Sequence, residues 1–127
     1  ITESNWGLGF DGESPQKIHI TEKTFKSLVT YLPFILVSTV HNLRKLKEWG
    51  FETFPEWFVE DYDNVEGHKQ RMFYLTRELI RVGNMDKKQL HKMYQASWEK
   101  CVHNRKHFFK FNHTEGFREL AEAIAEL

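Results

Sequence analysis

The apolar run Pro33-Phe34-Ile35-Leu36-Val37 does most to limit what this chain can become. It offers no polar residue to water, so it reads as a strand buried on both faces, the environment of a parallel sheet. Pro33 stands at its start and disfavours helical backbone at Leu32. Just upstream, Phe25, Leu28, Val29 and Leu32 recur at helical spacing. A helix therefore has to end where the strand begins. Thr21 is placed to cap that helix. Glu22 falls in its first turn, where the helix dipole favours a negative charge.

The alternation extends to both sides. "ITESNW" reads as a short strand and a turn, and "GLGFDGESPQK" as a loop. Its "GLG" lacks the third glycine and the strand-to-helix setting of a dinucleotide fingerprint. Ser38 or Thr39 can cap a second helix, with Val40, Leu43, Leu46 and Trp49 inward and Gly50 as its stop. "FETF", closed by Pro55, supplies a third strand. Strand, helix, strand, helix, strand predicts an α/β fold: a small three-stranded parallel sheet, half-Rossmann-like, with right-handed crossovers.

Beyond about Val65 the pattern becomes helical. Met72, Phe73, Thr76, Leu79 and Ile80 mark a helix that stops at Gly83. Asp86 caps a long one reaching about Phe111, with Leu90, Met93, Tyr94, Ser97, Cys101 and Phe108 on one face. Thr114 caps a last helix with Phe117, Leu120, Ala121 and Ile124 inward. The expected organisation is a single domain over 1–127, α/β through 1–64 and helical through 65–127. A chain of 127 residues is long enough for one such core and too short for two.

Lys+Arg and Asp+Glu are equal at 18 each, so the net charge is zero and gives no global attraction for nucleic acid or an anionic membrane. Neither is the expected partner. Cys101, the single cysteine, excludes an intrachain disulfide and zinc-finger spacings, and reads as a helix-borne thiol of a reducing, cytoplasmic setting. No apolar run approaches the ~20 residues of a membrane helix. The chain opens without Met, as though it begins inside something larger.

Three constellations carry chemistry. At Thr21-Glu22-Lys23, the N–H groups of a helix start and a lysine make an anion site, and the glutamate can accept hydrogen bonds from sugar or ribose hydroxyls. The arrangement suits a nucleotide-sugar diphosphate at the carboxyl edge of a parallel sheet. The plainer reading is a capped helix with a solvated lysine. In "EDYDN", Glu60, Asp61 and Asp63 bear oxygens for a divalent cation, but without a defined ligand cage a solvated acidic turn leading to an N-cap by Asp63 or Asn64 is favoured, with Tyr62 packed on the sheet. His103 and His107 lie one helical turn apart, yet a third zinc ligand is missing, and with Arg105, Lys106 and Lys110 they read as a basic, solvated helix end; RNA contact by the same run with Phe108 and Phe109 is a third reading that the neutral chain does not otherwise encourage. No metal or cofactor is expected beyond the nucleotide-sugar donor itself.

The stretch "HITEKTFKSLVTYLPFILV" resembles the "YITEK" block of the α-1,3-fucosyltransferases, which runs through a helix into a proline-led strand. "TESN" occupies the place of that family's Phe-Glu-Asn-Ser segment. The block is also similar to small phage and marine-virus proteins carrying a comparable order of elements, here "LRKLKEWGFETF" and "VEDYDN". The resemblance covers residues 1 to about 64. It implies the C-terminal, nucleotide-sugar-binding half of a two-domain GT-B glycosyltransferase. On that reading Glu22 binds the sugar or ribose hydroxyls and Lys23 the diphosphate, Thr21 belongs to the same nucleotide-sugar site, and Glu3 and Asn5 lie near the donor. His19 stands where the family has tyrosine. The half that holds the general base has no counterpart here, so catalysis would need a missing N-terminal domain or a partner chain, a second copy included. The alternative expectation is a non-catalytic protein-interaction module that keeps the fold.

Overall fold

The computed structural model describes residues 1–4 and 20–111, and of Glu3 and Ser4 the backbone alone. Two strands, β1 (Thr2–Ser4) and β2 (Leu36–Ser38), pair in parallel, with Thr2 opposite Leu36 and Ser4 opposite Ser38. Four helices make up most of the rest: α1 (Glu22–Val29), α2 (Asn42–Glu48), α3 (His68–Gly83) and α4 (Lys87–Phe111). A 3-10 turn covers Asp61–Asn64. The helix expected from Thr114 lies outside the described residues.

The chain is thus mainly helical, and the expected α/β fold with a three-stranded parallel sheet is overturned. Two three-residue strands are the only strand pairing among the described residues. The missing third strand has a physical cause at both places where it should have bonded. β1 takes the Ile35 carbonyl through Thr2 N–H, so the Leu36 N–H points to the opposite edge. There it donates to the hydroxyl of buried Tyr62, which occupies the place of a strand neighbour. "FETF" itself has its backbone groups met by side chains. Asn104 of α4 accepts from Glu52 N–H (2.7 Å) and donates to Glu52 C=O (2.9 Å). Lys100 donates to Thr53 C=O, and the Glu60 carboxylate accepts from Phe54 N–H and the Thr53 hydroxyl. Phe51 and Phe54 are buried as a strand reading requires, but the backbone between them pairs with a helix rather than with a strand.

Helix ends follow the same logic. α1 stops at Val29, short of the expected Leu32, because Thr30 N–H and its hydroxyl both turn back to Lys26 C=O and Tyr31 enters the left-handed region at φ 57°. That conformation costs a bulky residue roughly 1–2 kcal/mol. Tyr31 is held in it by stacking on Trp98 of α4, with the Arg105 guanidinium 5.0 Å from its ring. α2 is not capped by Ser38 or Thr39. Val40 and His41 turn first, His41 at φ 66°, and the cap comes from Asp63, whose two carboxylate oxygens each accept at 2.9 Å, from Leu43 and Arg44 N–H. Gly50 does end α2, at φ 87°, and a Cβ there would lie 2.7 Å from the His107 ring. Asp86 and Gln89 form a reciprocal capping box at the start of α4.

The core runs from Leu28 and Ile35–Leu36 through Leu43, Leu46, Phe51, Phe54 and Tyr62 to Leu75 and Cys101. The face of α3 turned toward it is not the expected one. Arg71, Leu75 and Glu78 are buried, whereas Met72, Phe73, Thr76 and Ile80 are exposed, with Leu79 between the two. In α4, Met93, Ser97, Cys101, Asn104 and Phe111 are buried, and the expected inward residues Leu90 and Tyr94 lie at the surface.

Asn104 is the side chain on which the 51–54 segment most depends. Asn104→Ala should cost about 1–3 kcal/mol, because both the N–H and C=O of Glu52 lose their partners. Urea denaturation checks this, and a change below about 0.5 kcal/mol would show that water replaces the amide at no penalty.

Candidate functional site

The residues singled out from the sequence are only partly brought together. Thr21 takes the cap position of α1 in extended backbone (φ −109°, ψ 173°), and its carbonyl accepts from Thr24 and Phe25 N–H, but its hydroxyl makes no capping bond to the helix. Glu22 and Lys23 follow it in the first turn, both exposed. Glu3 lies in β1 opposite Val37. Asn5 and His19 lie outside the described residues. β1 and β2 are parallel and α1 comes between them in the chain, so Glu22 and Lys23 stand in the first turn of a helix placed between two parallel strands.

The acidic segment is engaged in structure. Both oxygens of Asp63 cap α2. Glu60 bonds the 53–54 backbone and side chain and lies 3.2 Å from Lys47 Nζ. Among the described residues no three His, Cys, Asp or Glu side chains converge as a metal ion would require. Tyr62 is buried against β2, and burial pushes its hydroxyl far above the usual phenol range.

The histidine pair has a different task from a metal ligand or a solvated helix end. His103 Nε2 lies 2.9 Å from Gly50 C=O, and His107 Nε2 lies 2.6 Å from Trp49 C=O. A carbonyl can only accept, so each ring carries its proton on Nε2 in these contacts. Arg105 donates likewise to Val29 C=O. These are the carbonyls left over at the C-terminal ends of α2 and α1. The two imidazoles stack, interplanar 9°, and His107 sits edge-on to Phe51 at 4.8 Å. Cys101 is buried, and desolvation pushes its thiol up to about 11, which keeps it protonated and inert at neutral pH.

The exposed feature with the shape of a binding surface lies on α3. A groove of about 640 Å³ opens at its N-terminus, lined by Asn64, Val65, Lys69, Gln70, Phe73 and Tyr74 among others. Phe73, which lines it, and Ile80 further along the helix are both 59% exposed, and Met72 is 42% exposed. The inward side of α3 explains this inversion. Arg71 donates to the carbonyls of Val65 and Glu66. Glu78 accepts from Val59 N–H and pairs with Arg81, which also reaches Trp57 C=O. The polar stripe turns inward because it alone can satisfy the backbone of the 57–66 segment. The sequence gives no sign of this, since Met72, Phe73, Thr76 and Ile80 make the more apolar stripe. No helix among the described residues is long and apolar enough to cross a membrane.

No family model, curated protein or solved structure matches this chain.

The Glu78 carboxyl is held below its ordinary range, first by the Arg81 hydrogen bond and then by Val59 N–H, with burial opposing both. Its folded value lies below its unfolded one. The stabilisation is therefore complete above the ordinary carboxylate range and disappears as the pH falls through the folded value. Glu78→Gln should lower the thermal midpoint at neutral pH, and the gap to the parent should narrow toward about pH 3. A gap that stays constant over that range would remove the charge of Glu78 from the account.

Proposed function

We propose that this chain is a non-catalytic protein-interaction module whose docking face is the outer side of α3 together with the groove at its N-terminus. One observation carries the reading: α3 turns its polar stripe inward and leaves Met72, Phe73 and Ile80 in water. Large apolar side chains that a fold leaves uncovered on one side of a helix mark a site of association. Lys69 and Arg77 flank it, and neither has a carboxylate partner among the described residues, while the Arg77 guanidinium rests 5.7 Å from the Phe73 ring. Two copies of this face would bring like charges together. The surface instead fits an acidic amphipathic segment of another protein, laid along the helix with its apolar residues against Phe73 and Ile80. A cytoplasmic location belongs to the same proposal and is consistent with the lone thiol of Cys101.

A second reading keeps the nucleotide-sugar lobe. Its support is the exposed Glu22-Lys23 pair at the head of a helix placed between two parallel strands in the chain. The shortness of those strands, which leave little sheet edge to shape a donor pocket, makes it the weaker of the two.

Selection from a displayed library of acidic amphipathic peptides should enrich binders whose affinity falls at least about tenfold in Phe73→Glu and Ile80→Glu. Binders indifferent to both substitutions would overturn the reading. So would a concentration-dependent dimer that the same substitutions dissolve, because the face would then belong to a second copy. For the second reading, a GDP-, UDP- or ADP-sugar should raise the melting temperature and Lys23→Ala should abolish the shift. No shift with any of the three would end it.

A further inference from the structure

Zero net charge conceals a separation. Residues 68–111 hold eleven Lys or Arg against three acids, Glu78, Asp86 and Glu99, and the balancing acids lie in the rest of the chain. Four of the eleven are tied to the fold: Arg71, Arg81, Lys100 and Arg105 bond backbone carbonyls. The others reach solvent. On α4 these are Lys87, Lys88, Lys92, Lys106 and Lys110, all exposed. Lys87 and Lys88 stand in the first turn, where the helix dipole disfavours positive charge. Capping does not require them there, since Asp86 and Gln89 close that end.

The same helix carries an aromatic ladder at the surface. Tyr94 meets Trp98 edge-on at 6.0 Å, and Trp98 stacks on Tyr31 at 5.1 Å, interplanar 22°. Arg105 bridges Tyr31 and Phe109, 5.0 and 5.2 Å from the two rings. Trp98 is nonetheless 43% exposed and Phe109 52%. Lys88, His91, Gln95, Trp98, Val102, Lys106 and Phe109 follow one another at spacings of three and four, which places them on one stripe. From Lys88 to Phe109 that stripe runs about 30 Å at a rise of ~1.5 Å per residue.

We propose that this stripe of α4 binds single-stranded nucleic acid, with bases stacked on Trp98 and Phe109 and the backbone phosphates followed by Lys88, Lys106 and their neighbours. Half-exposed aromatic rings interleaved with exposed lysines are what an unpaired strand recognises, because every base has a π-face and every linkage a charge. An acidic peptide would answer the lysines but leave the ring faces in water. A duplex would answer the lysines and hide its bases. The expectation against nucleic acid rests on the charge of the whole chain, whereas binding depends on the charge at the surface that makes contact. The tyrosine held at positive φ fits this role: Tyr31 fixes the plane of Trp98 before any ligand arrives.

Fluorescence anisotropy with a labelled oligouridylate and an oligothymidylate of about 12 nucleotides tests the proposal on the whole chain at low salt. The strand should bind, quench tryptophan emission, and weaken steeply as salt rises. Lys88→Ala and Lys106→Ala should each reduce the salt slope by about one. Trp98→Ala should weaken binding at least about fivefold. Should that variant unfold, Phe109→Ala, at an exposed ring, serves in its place. A duplex of equal length and a polyglutamate peptide should compete poorly. No binding to either strand, or binding that the aromatic variants leave untouched and polyglutamate displaces equally well, would overturn the proposal.

Discussion

Everything around the centre of this molecule depends on α4 acting as a partner for backbone that has no strand beside it. His107, His103, Asn104 and Lys100 meet, in order, the carbonyls of Trp49, Gly50, Glu52 and Thr53, and Asn104 also takes the Glu52 N–H. The four donors fall at positions 100, 103, 104 and 107, the spacing of one helical face. Two turns of α4 thus reach the backbone from the end of α2 through Thr53. The buried polar groups of this segment are satisfied without a sheet.

The same device recurs wherever an element would otherwise end unsatisfied. Asp63 caps α2 from twenty residues away, the histidines and Arg105 receive the last carbonyls of α2 and α1, and Glu78 with Arg81 holds the 57–59 backbone. Polar side chains thus bear much of the tertiary specification, and the helices turn polar stripes inward to supply them. This inversion leaves apolar residues outside, on α3 at Phe73 and Ile80 and on α4 at Trp98 and Phe109. The surface available for partners is in that sense a consequence of how the interior satisfies its backbone.

Much of the local plan could be read directly. The helix after Thr21, the stop at Gly50, the cap at Asp86 and the burial of Ile35 and Leu36 all follow from side-chain preference within a few residues. The third strand could not be read, because "FETF" has the composition of a strand, while Tyr62 takes the free edge of β2 and Asn104, 52 residues from Glu52, takes the backbone of the segment. The site residues divide the same way. Glu22 and Lys23 share an exposed first turn, as their spacing requires, while the roles of Asp63, His103 and His107 were invisible because each answers a carbonyl or N–H on another element.

The sequence by itself determined where this chain can turn, cap and bury: these are contests between neighbouring residues, and φ preference, hydrogen bonding and hydrophobic period decide them locally. Only the tertiary structure decided which face of each helix goes inward and whether extended backbone finds a strand or a side chain. Those choices turn on the free energy of leaving a buried N–H or C=O unpaired, and the groups that prevent it come from up to 76 residues away, as Arg105 does for Val29.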